Sequence, residues 1–275
     1  VVSIDIPSGI DGTTGFKKGH AIIAHHTLTL AAYKQGLFLN DARKHCGNIQ
    51  LLDIQIPSKL MNECEGANVI DESVILSQLP KRMPYSHKGS YGKVLCMGGS
   101  VGMSGAITMA AKSALASGCG LLTLAIPKSI QNLVMPSVLE SMSYLLEEKE
   151  GQIAKEATSF LKEKIANFTC VLIGCGIGRS EDIKTIVKIL LESDTPCIID
   201  ADALHALKMQ MVNRKNTILT PHLKEFANLL DVDVKEVVNH TLHYVDVFCK
   251  QYPDVTLVLK SETTNGQPAV AIELP

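Results

Sequence analysis

Val94-Leu95-Cys96-Met97-Gly98-Gly99-Ser100-Val101-Gly102-Met103-Ser104-Gly105-Ala106 is the stretch that decides the fold. A short apolar run enters a loop holding four glycines, and an alanine-rich segment through Ser117 follows. An apolar run bounded by glycine reads as a buried strand, and the alanine-rich segment reads as a helix. Glycines let the backbone turn tightly and approach an anion. The helix start adds amide groups that favour phosphate. The loop is not a Walker A motif, because no Gly-Lys-Ser/Thr follows. Four glycines exceed what a tight strand–helix turn requires, so a ligand-binding loop is the preferred reading.

The same arrangement recurs along the chain. Cys170–Ile173 leads into Gly174-Cys175-Gly176-Ile177-Gly178, and Cys197–Ile199 into Asp200-Ala201-Asp202. Thr217–Leu219 leads into Thr220-Pro221-His222, and Val255–Leu259 into Lys260-Ser261-Glu262-Thr263-Thr264. Leu121–Ile126, ahead of Pro127, is a further strand. Helices are expected over Ala106–Ser117, Ala154–Ile165, Ile183–Leu191, Glu225–Leu230 and Lys235–Tyr252. Alternation of strand and helix predicts a mostly parallel α/β sheet with helices on both faces. In such sheets ligands bind beyond the carboxyl ends of the strands. Glycine, hydroxyl, carboxylate, imidazole and ammonium groups are therefore expected at one edge, as in a polyanion-binding enzyme site.

Each motif has a plainer alternative. The GxGxG of Gly174–Gly178 is weak alone, and no acidic ribose-binding residue stands clearly at the dinucleotide-fold distance. A pyrophosphate-contacting loop is preferred to a standard Rossmann site. Asp200 and Asp202 suit Mg²⁺ or a substrate hydroxyl, and Asp202 equally suits a helix N-cap. His222 past a strand end favours ligand contact over a structural role. Lys260 with Thr263 and Thr264 suits phosphate; otherwise it is a solvated strand end.

The first stretch differs. Val1–Ile6 is a strand ending in Pro7-Ser8-Gly9-Ile10-Asp11-Gly12, and Thr27–Leu30 and Ile49–Ile54 are further strands. Ser58–Ser77 reads as a connection. The organisation expected is one partial domain over residues 1–59, a linker over 60–73 and a second domain over 74–275.

Composition bounds the function. At 275 residues with net charge -2, the chain gives no reason to expect nucleic acid or an anionic membrane as main partner. No apolar stretch is long enough to span a bilayer. The eight cysteines show no CxxC spacing, so they read as small core hydrophobes of a cytoplasmic protein rather than as a zinc or disulfide framework.

Together with Ser86-His87-Lys88-Gly89-Ser90-Tyr91-Gly92-Lys93, these motifs resemble the bifunctional NAD(P)H-hydrate repair enzymes. That family fuses an epimerase domain to a nucleotide-dependent dehydratase with a ribokinase-like fold. Ser3-Ile4-Asp5-Ile6-Pro7-Ser8-Gly9-Ile10-Asp11 resembles the end of its Rossmann-like epimerase domain. The resemblance implies that Asp5 contacts the hydrated nicotinamide nucleotide and that Ser8 helps bind K⁺. It implies that Ala106, Gly178 and His222 line the hydrate site of the dehydratase. Lys260, Ser261, Glu262, Thr263 and Thr264 would hold ADP, with Mg²⁺. The implied reaction phosphorylates the S hydrate and eliminates phosphate, while the epimerase interconverts R and S forms. A cytoplasmic homo-oligomer acting on this small molecule is the expected setting. Cys175, Lys224 and Ser261 depart from the family's usual Pro, Gly and Gly. The family's catalytic Asp, in a Gly-Asp segment, is expected beyond Pro275, and the isolated stretch is expected to bind ligand weakly without repairing it. A ribokinase-like vitamin-precursor kinase and a noncatalytic nucleotide-binding remnant stay open as alternatives.

Overall fold

A computed structural model of the chain describes residues 1–63, 68–70, 72–209, 212, 214–260 and 272–273. Two compact units divide it, Val1–Leu76 with Val270–Pro275, and Ser77–Ala269.

In the first unit, β1 (Val2–Ile4), β2 (His26–Leu30) and β3 (Asn48–Leu52) form a parallel sheet in that order. Ile10, Leu37, Ala42 and Cys46 make its small core. Thr27 is buried on β2, and its hydroxyl donates to the Cys46 carbonyl at 2.6 Å, so the polar atom costs little there. The stretch read as a connection contains two short helices, Ser58–Asn62 and Glu72–Gln78.

The second unit carries β4 (Lys93–Met97), β5 (Leu121–Pro127), β6 (Met142–Leu146), β7 (Cys170–Ile173), β8 (Cys197–Ile199), β9 (Thr217–Leu219) and β10 (Val255–Leu257). All pair in parallel, in the order β10-β9-β8-β7-β4-β5-β6. Sequence reading missed β6. It is an edge strand with Met142, Tyr144 and Leu145 largely exposed, so it lacks a continuous buried apolar run.

Among the described residues the longer helices between the strands are α1 (Ser104–Ala116), α2 (Ala157–Lys164), α3 (Glu181–Leu191), α4 (Leu223–Leu230), α5 (Val234–Asn239) and α6 (Thr241–Gln251). The crossover through α1 steps from β4 to β5, and the crossover through α3 steps from β7 to β8 in the opposite direction. Right-handed connections then place these helices on opposite faces. α1 buries Ile107 and Ala111 in a cluster with Cys96, Leu122, Leu124 and Ile126. α3 buries Ile183, Ile186, Val187 and Leu190, the spacing of one helical face. Burying each such side chain contributes about 1.5–3 kcal/mol relative to exposure.

One expected helix, and the helix allowed for in the plainer reading of Asp202, differ from observation. Lys235–Tyr252 is broken at His240, whose φ of -131° and ψ of 38° leave the helical region. The Thr241 hydroxyl donates back to the Val237 carbonyl at 2.8 Å across the break. The segment after Asp200 is a 3₁₀ turn over Ala201–Ala206 rather than an α-helix.

Burial alternates along the central strands. Val171, Ile173, Cys197, Ile199, Thr217 and Leu219 are buried, while Cys170, Leu172, Ile198 and Ile218 are only partly covered. The less covered face belongs to a groove beside α1.

Candidate functional site

Strand register brings the motifs into line. Met97 pairs with Ile173, Ile173 with Ile199, Ile199 with Leu219 and Leu219 with Leu257. The residues that follow these five positions therefore emerge side by side at the carboxyl edge of one sheet. Strand order reverses between β4 and β7, and both glycine loops stand at that switch point, where open α/β sheets bind ligands.

Hydrogen bonds weld the two loops together. The Gly99 amide donates to the Cys175 carbonyl at 2.9 Å, and the buried Ser100 hydroxyl donates to the Gly176 carbonyl at 2.8 Å. Gly174, at φ 126°, lies where a Cβ would stand 1.8 Å from the Asp200 carbonyl oxygen. Gly176, at φ 66°, would place a Cβ 2.7 Å from the Met103 carbonyl oxygen. Only glycine admits both the backbone conformation and this approach.

The adjoining strand ends supply charge. Lys260 Nζ donates to Asp200 Oδ1 at 2.6 Å, joining the ends of β8 and β10. The Cys175 Sγ lies 4.0 Å from Asp200 Oδ2. Burial, reinforced by the Asp200 charge, pushes the Cys175 thiol up to about 11, so it is a protonated lining group rather than a nucleophile. Asp202 does not cap the following turn. Its carboxylate accepts the Gly178 amide at 3.3 Å and Arg179 Nε at 2.8 Å, bracing the second glycine loop.

A groove of about 1510 Å³ opens onto this edge. Ala106, Cys175, Gly176, Asp200, Thr220 and Lys260 contribute to its polar end, while Val94, Leu172, Ile198 and Val258 form an apolar floor. The Thr220 hydroxyl is buried without a hydrogen-bond partner among the described residues. A buried hydroxyl without a protein partner is one that a water or a ligand atom can satisfy. The segment Pro80–Tyr91 walls the far side. It is held by Arg82 stacked 4.4 Å over the Tyr91 ring, by the Arg82 bond to the Gly118 carbonyl at 2.9 Å, and by the Tyr91 hydroxyl, which takes the Met83 amide at 3.0 Å and contacts Ser86 Oγ.

The site residues expected from sequence fall into three groups. Ala106 and Lys260 line the groove. Gly178 and His222 share the strand-end edge but are not among the groove's lining residues; Gly178 is tied to Asp202, and His222 caps α4. Ser261, Glu262, Thr263 and Thr264 lie outside the described residues. In the first unit, Asp5 adopts φ 66° immediately after β1, and its carboxylate accepts the Leu30 amide at 3.0 Å, the Thr29 hydroxyl at 3.3 Å and the Lys34 ammonium. Partial desolvation raises the Asp5 carboxyl, but Lys34 and the Leu30 amide outweigh it and hold the group below the ordinary value. Ser8 is exposed in the following loop. Lys34, Arg179 and Glu225 were not singled out from sequence. Glu225 was the most legible of the three, three residues after His222 at a helix start.

Fold and site define a ribokinase-like α/β protein with a groove at the carboxyl edge of its sheet. A ribokinase-like superfamily protein from Enterococcus faecalis matches the fold at TM-score 0.60 and 23% identity, over 70% of this chain and 65% of its own. The chain belongs to the NAD(P)H-hydrate dehydratase family, whose model matches residues 94–272, and the model of the YjeF-related protein N-terminus matches residues 1–36. The bifunctional NAD(P)H-hydrate repair enzyme Nnr of Moorella thermoacetica is 34% identical over 97% of this chain and 52% of its own length. The Escherichia coli enzyme of that name is 32% identical over 96% of this chain and 49% of its own length. This chain thus spans about half the length of the curated relatives it matches. The ADP/ATP-dependent NAD(P)H-hydrate dehydratase of Bacillus subtilis, co-crystallised with ATP/Mg²⁺, is similar at 28% identity and TM-score 0.56, over 70% of this chain and 67% of its own.

Proposed function

We propose that this chain works in nicotinamide nucleotide repair, as the dehydratase of a bifunctional protein whose epimerase domain ends near residue 59. Residues 60–73 act as the linker and 74–275 belong to the dehydratase. The observation that carries the reading is the convergence of Ala106 at the start of α1, the second glycine loop, Asp200, Thr220 and Lys260 on one groove at the switch point.

The S hydrate carries a hydroxyl on the reduced nicotinamide ring. Its oxygen attacks the terminal phosphorus of ADP, AMP leaves, and the hydroxyl proton is released. Elimination of inorganic phosphate with a ring proton then restores the double bond of NADH or NADPH. Phosphoryl transfer depends on positioning and charge stabilisation. Lys260 and the glycine-loop amides suit the phosphates, and Ala106, Gly178 and His222 are assigned to the hydrate. Ser261, Glu262, Thr263 and Thr264 complete the nucleotide site. No three His, Cys, Asp or Glu among the described residues converge on a metal position. Mg²⁺ would therefore be held by Asp200 together with nucleotide phosphates and water, supplying charge neutralisation, as is usual for this ion. Asp5 serves the hydrate and Ser8 serves K⁺ in the epimerase. No helix among the described residues is long and apolar enough to cross a membrane. A cytoplasmic homo-oligomer is part of the proposal.

The test follows recovery of reduced-nicotinamide absorbance from the S hydrate with ADP and Mg²⁺ in the full-length protein. His222→Ala is expected to lower kcat/KM at least about tenfold, the scale of one lost ligand hydrogen bond, while unfolding stays cooperative with a loss of about 1 kcal/mol from the removed helix cap. Unchanged turnover would remove His222 from the site.

A further inference from the structure

α4 begins on a capping box in which histidine takes the place usual for serine, threonine, aspartate or asparagine. The Glu225 amide donates to His222 Nδ1 at 3.1 Å, and the His222 amide donates to Glu225 Oε2 at 2.9 Å. The other carboxylate oxygen, Oε1, lies 3.4 Å from His222 Nε2. The Glu225 side chain is 9% exposed, whereas the imidazole is 53% exposed. An imidazole nitrogen that accepts an amide proton carries none of its own. Nδ1 is therefore the bare nitrogen, and the neutral ring bears its hydrogen on Nε2. The carboxylate beside Nε2 favours the same arrangement. Turning the ring over would set Cδ2 against the Glu225 amide and leave a buried helix-start donor unpaired, which is costly.

We infer that Glu225 is a positioning residue that holds His222 as the Nε2–H tautomer, so that the imidazole meets its ligand as a hydrogen-bond donor to an acceptor oxygen. With Nε2 protonated and Nδ1 occupied by the cap, the neutral ring has no lone pair to offer a substrate hydroxyl. His222 is thereby assigned to binding and not to proton abstraction. The choice of ligand rests on the hydrate-site reading above; the tautomer does not.

The experiment labels the protein with ¹⁵N-histidine and records long-range ¹H–¹⁵N correlations without ligand, above the imidazole titration range. The His222 signals are those missing from His222→Gln. Expected is one protonated Nε2 and one unprotonated Nδ1; the opposite pattern, or two averaged nitrogens, overturns the inference. In Glu225→Gln the isosteric amide can donate to Nε2, so the signals are expected to move toward averaging. An unmoved pattern in that variant, with its unfolding midpoint retained, removes Glu225 as the cause. In turnover with the S hydrate and ADP, Glu225→Gln is expected to raise the hydrate KM roughly tenfold and to change kcat by less than about threefold. A fall confined to kcat would mean that the ring works as a base and would overturn the assignment. Failure of the hydrate reading shows itself separately, as an unchanged hydrate KM in His222→Gln while the tautomer pattern stands.

Discussion

Asp5 and Asp200 each stand one residue beyond a parallel strand, and each carboxylate is met by a lysine from further along the chain, Lys34 and Lys260. Asp5 is enclosed by its own neighbourhood. It bends into the left-handed region at φ 66°, and its Oδ1 also receives the Leu30 amide and the Thr29 hydroxyl. Lys34 is itself shared with the Leu30 carbonyl at 2.7 Å. Asp200 stays extended at φ -130°, and among the described residues its Oδ2 is met by the Cys175 thiol at 4.0 Å, beside the groove that Asp200 lines. Asp5 is thus an organised, ionised acceptor whose partners lie within one strand and the turn after it. Asp200 is a carboxylate placed by strands far apart in sequence, with an oxygen directed at the ligand space. Holding a non-glycine residue in the left-handed region costs of order 1–3 kcal/mol, and the surrounding bonds of Asp5 offset it.

The largest expected effect comes from the backbone that carries Asp200. Gly174→Ala drives a Cβ into the Asp200 carbonyl, at a φ of 126° that alanine resists. A stability loss of at least about 2 kcal/mol is expected, with turnover lowered beyond about 100-fold as the loops separate. Calorimetry and hydrate turnover measure both. An unaltered unfolding midpoint would show that the loop relaxes freely.

Removing the ammonium comes next. Lys260→Ala is expected to lower kcat/KM roughly 10²-fold through lost charge stabilisation. It should change stability by less than about 1 kcal/mol, because the pair is partly exposed. Lys260→Arg should recover part of the activity, since the charge returns. Equal losses in both variants would point to shape rather than charge.

Asp5→Asn sharpens the other side of the comparison through pH. The Asp5 carboxyl is held below its ordinary value, so its ionised form is favoured in the folded state. Its contribution is fully present above the unfolded value of about 3.9 and is lost as pH falls through the lower folded value. The wild type should therefore exceed Asp5→Asn by under about 1 kcal/mol near neutrality. Denaturant midpoints should converge below about pH 4. A gap that persists into strong acid would mean that shape, not charge, sets it.

The smallest effect is expected at Cys175. Replacing it with alanine should leave turnover within about threefold, because a protonated thiol adds little beyond a small apolar contact. The intact thiol, raised to about 11 by burial, should alkylate far more slowly than a free cysteine at neutral pH. Rapid reaction with iodoacetamide would contradict that protonated state.

Much of the architecture was legible because its signals are local. Cys170–Ile173, Cys197–Ile199 and Thr217–Leu219 were read to their observed ends, since each is a short apolar run stopped by residues that suit a turn. The edge strand Met142–Leu146 escaped because one side faces solvent and the run is not uniformly buried. The His222–Glu225 capping box has the spacing of a familiar motif, but imidazole is an uncommon cap, so the residue read as a ligand contact alone.

The sequence by itself determined that a parallel sheet forms and that its strands end in phosphate-compatible chemistry, because burial and turning depend on neighbours a few residues away. Only the tertiary structure decided which of those ends meet. Asp200 with Lys260, Ser100 with Gly176 and Gly178 with Asp202 are bonds across 60, 76 and 24 residues. They exist because β7, β8 and β10 take the places they do in the sheet, and strand order is set by how the whole chain buries its helices, which no local periodicity encodes.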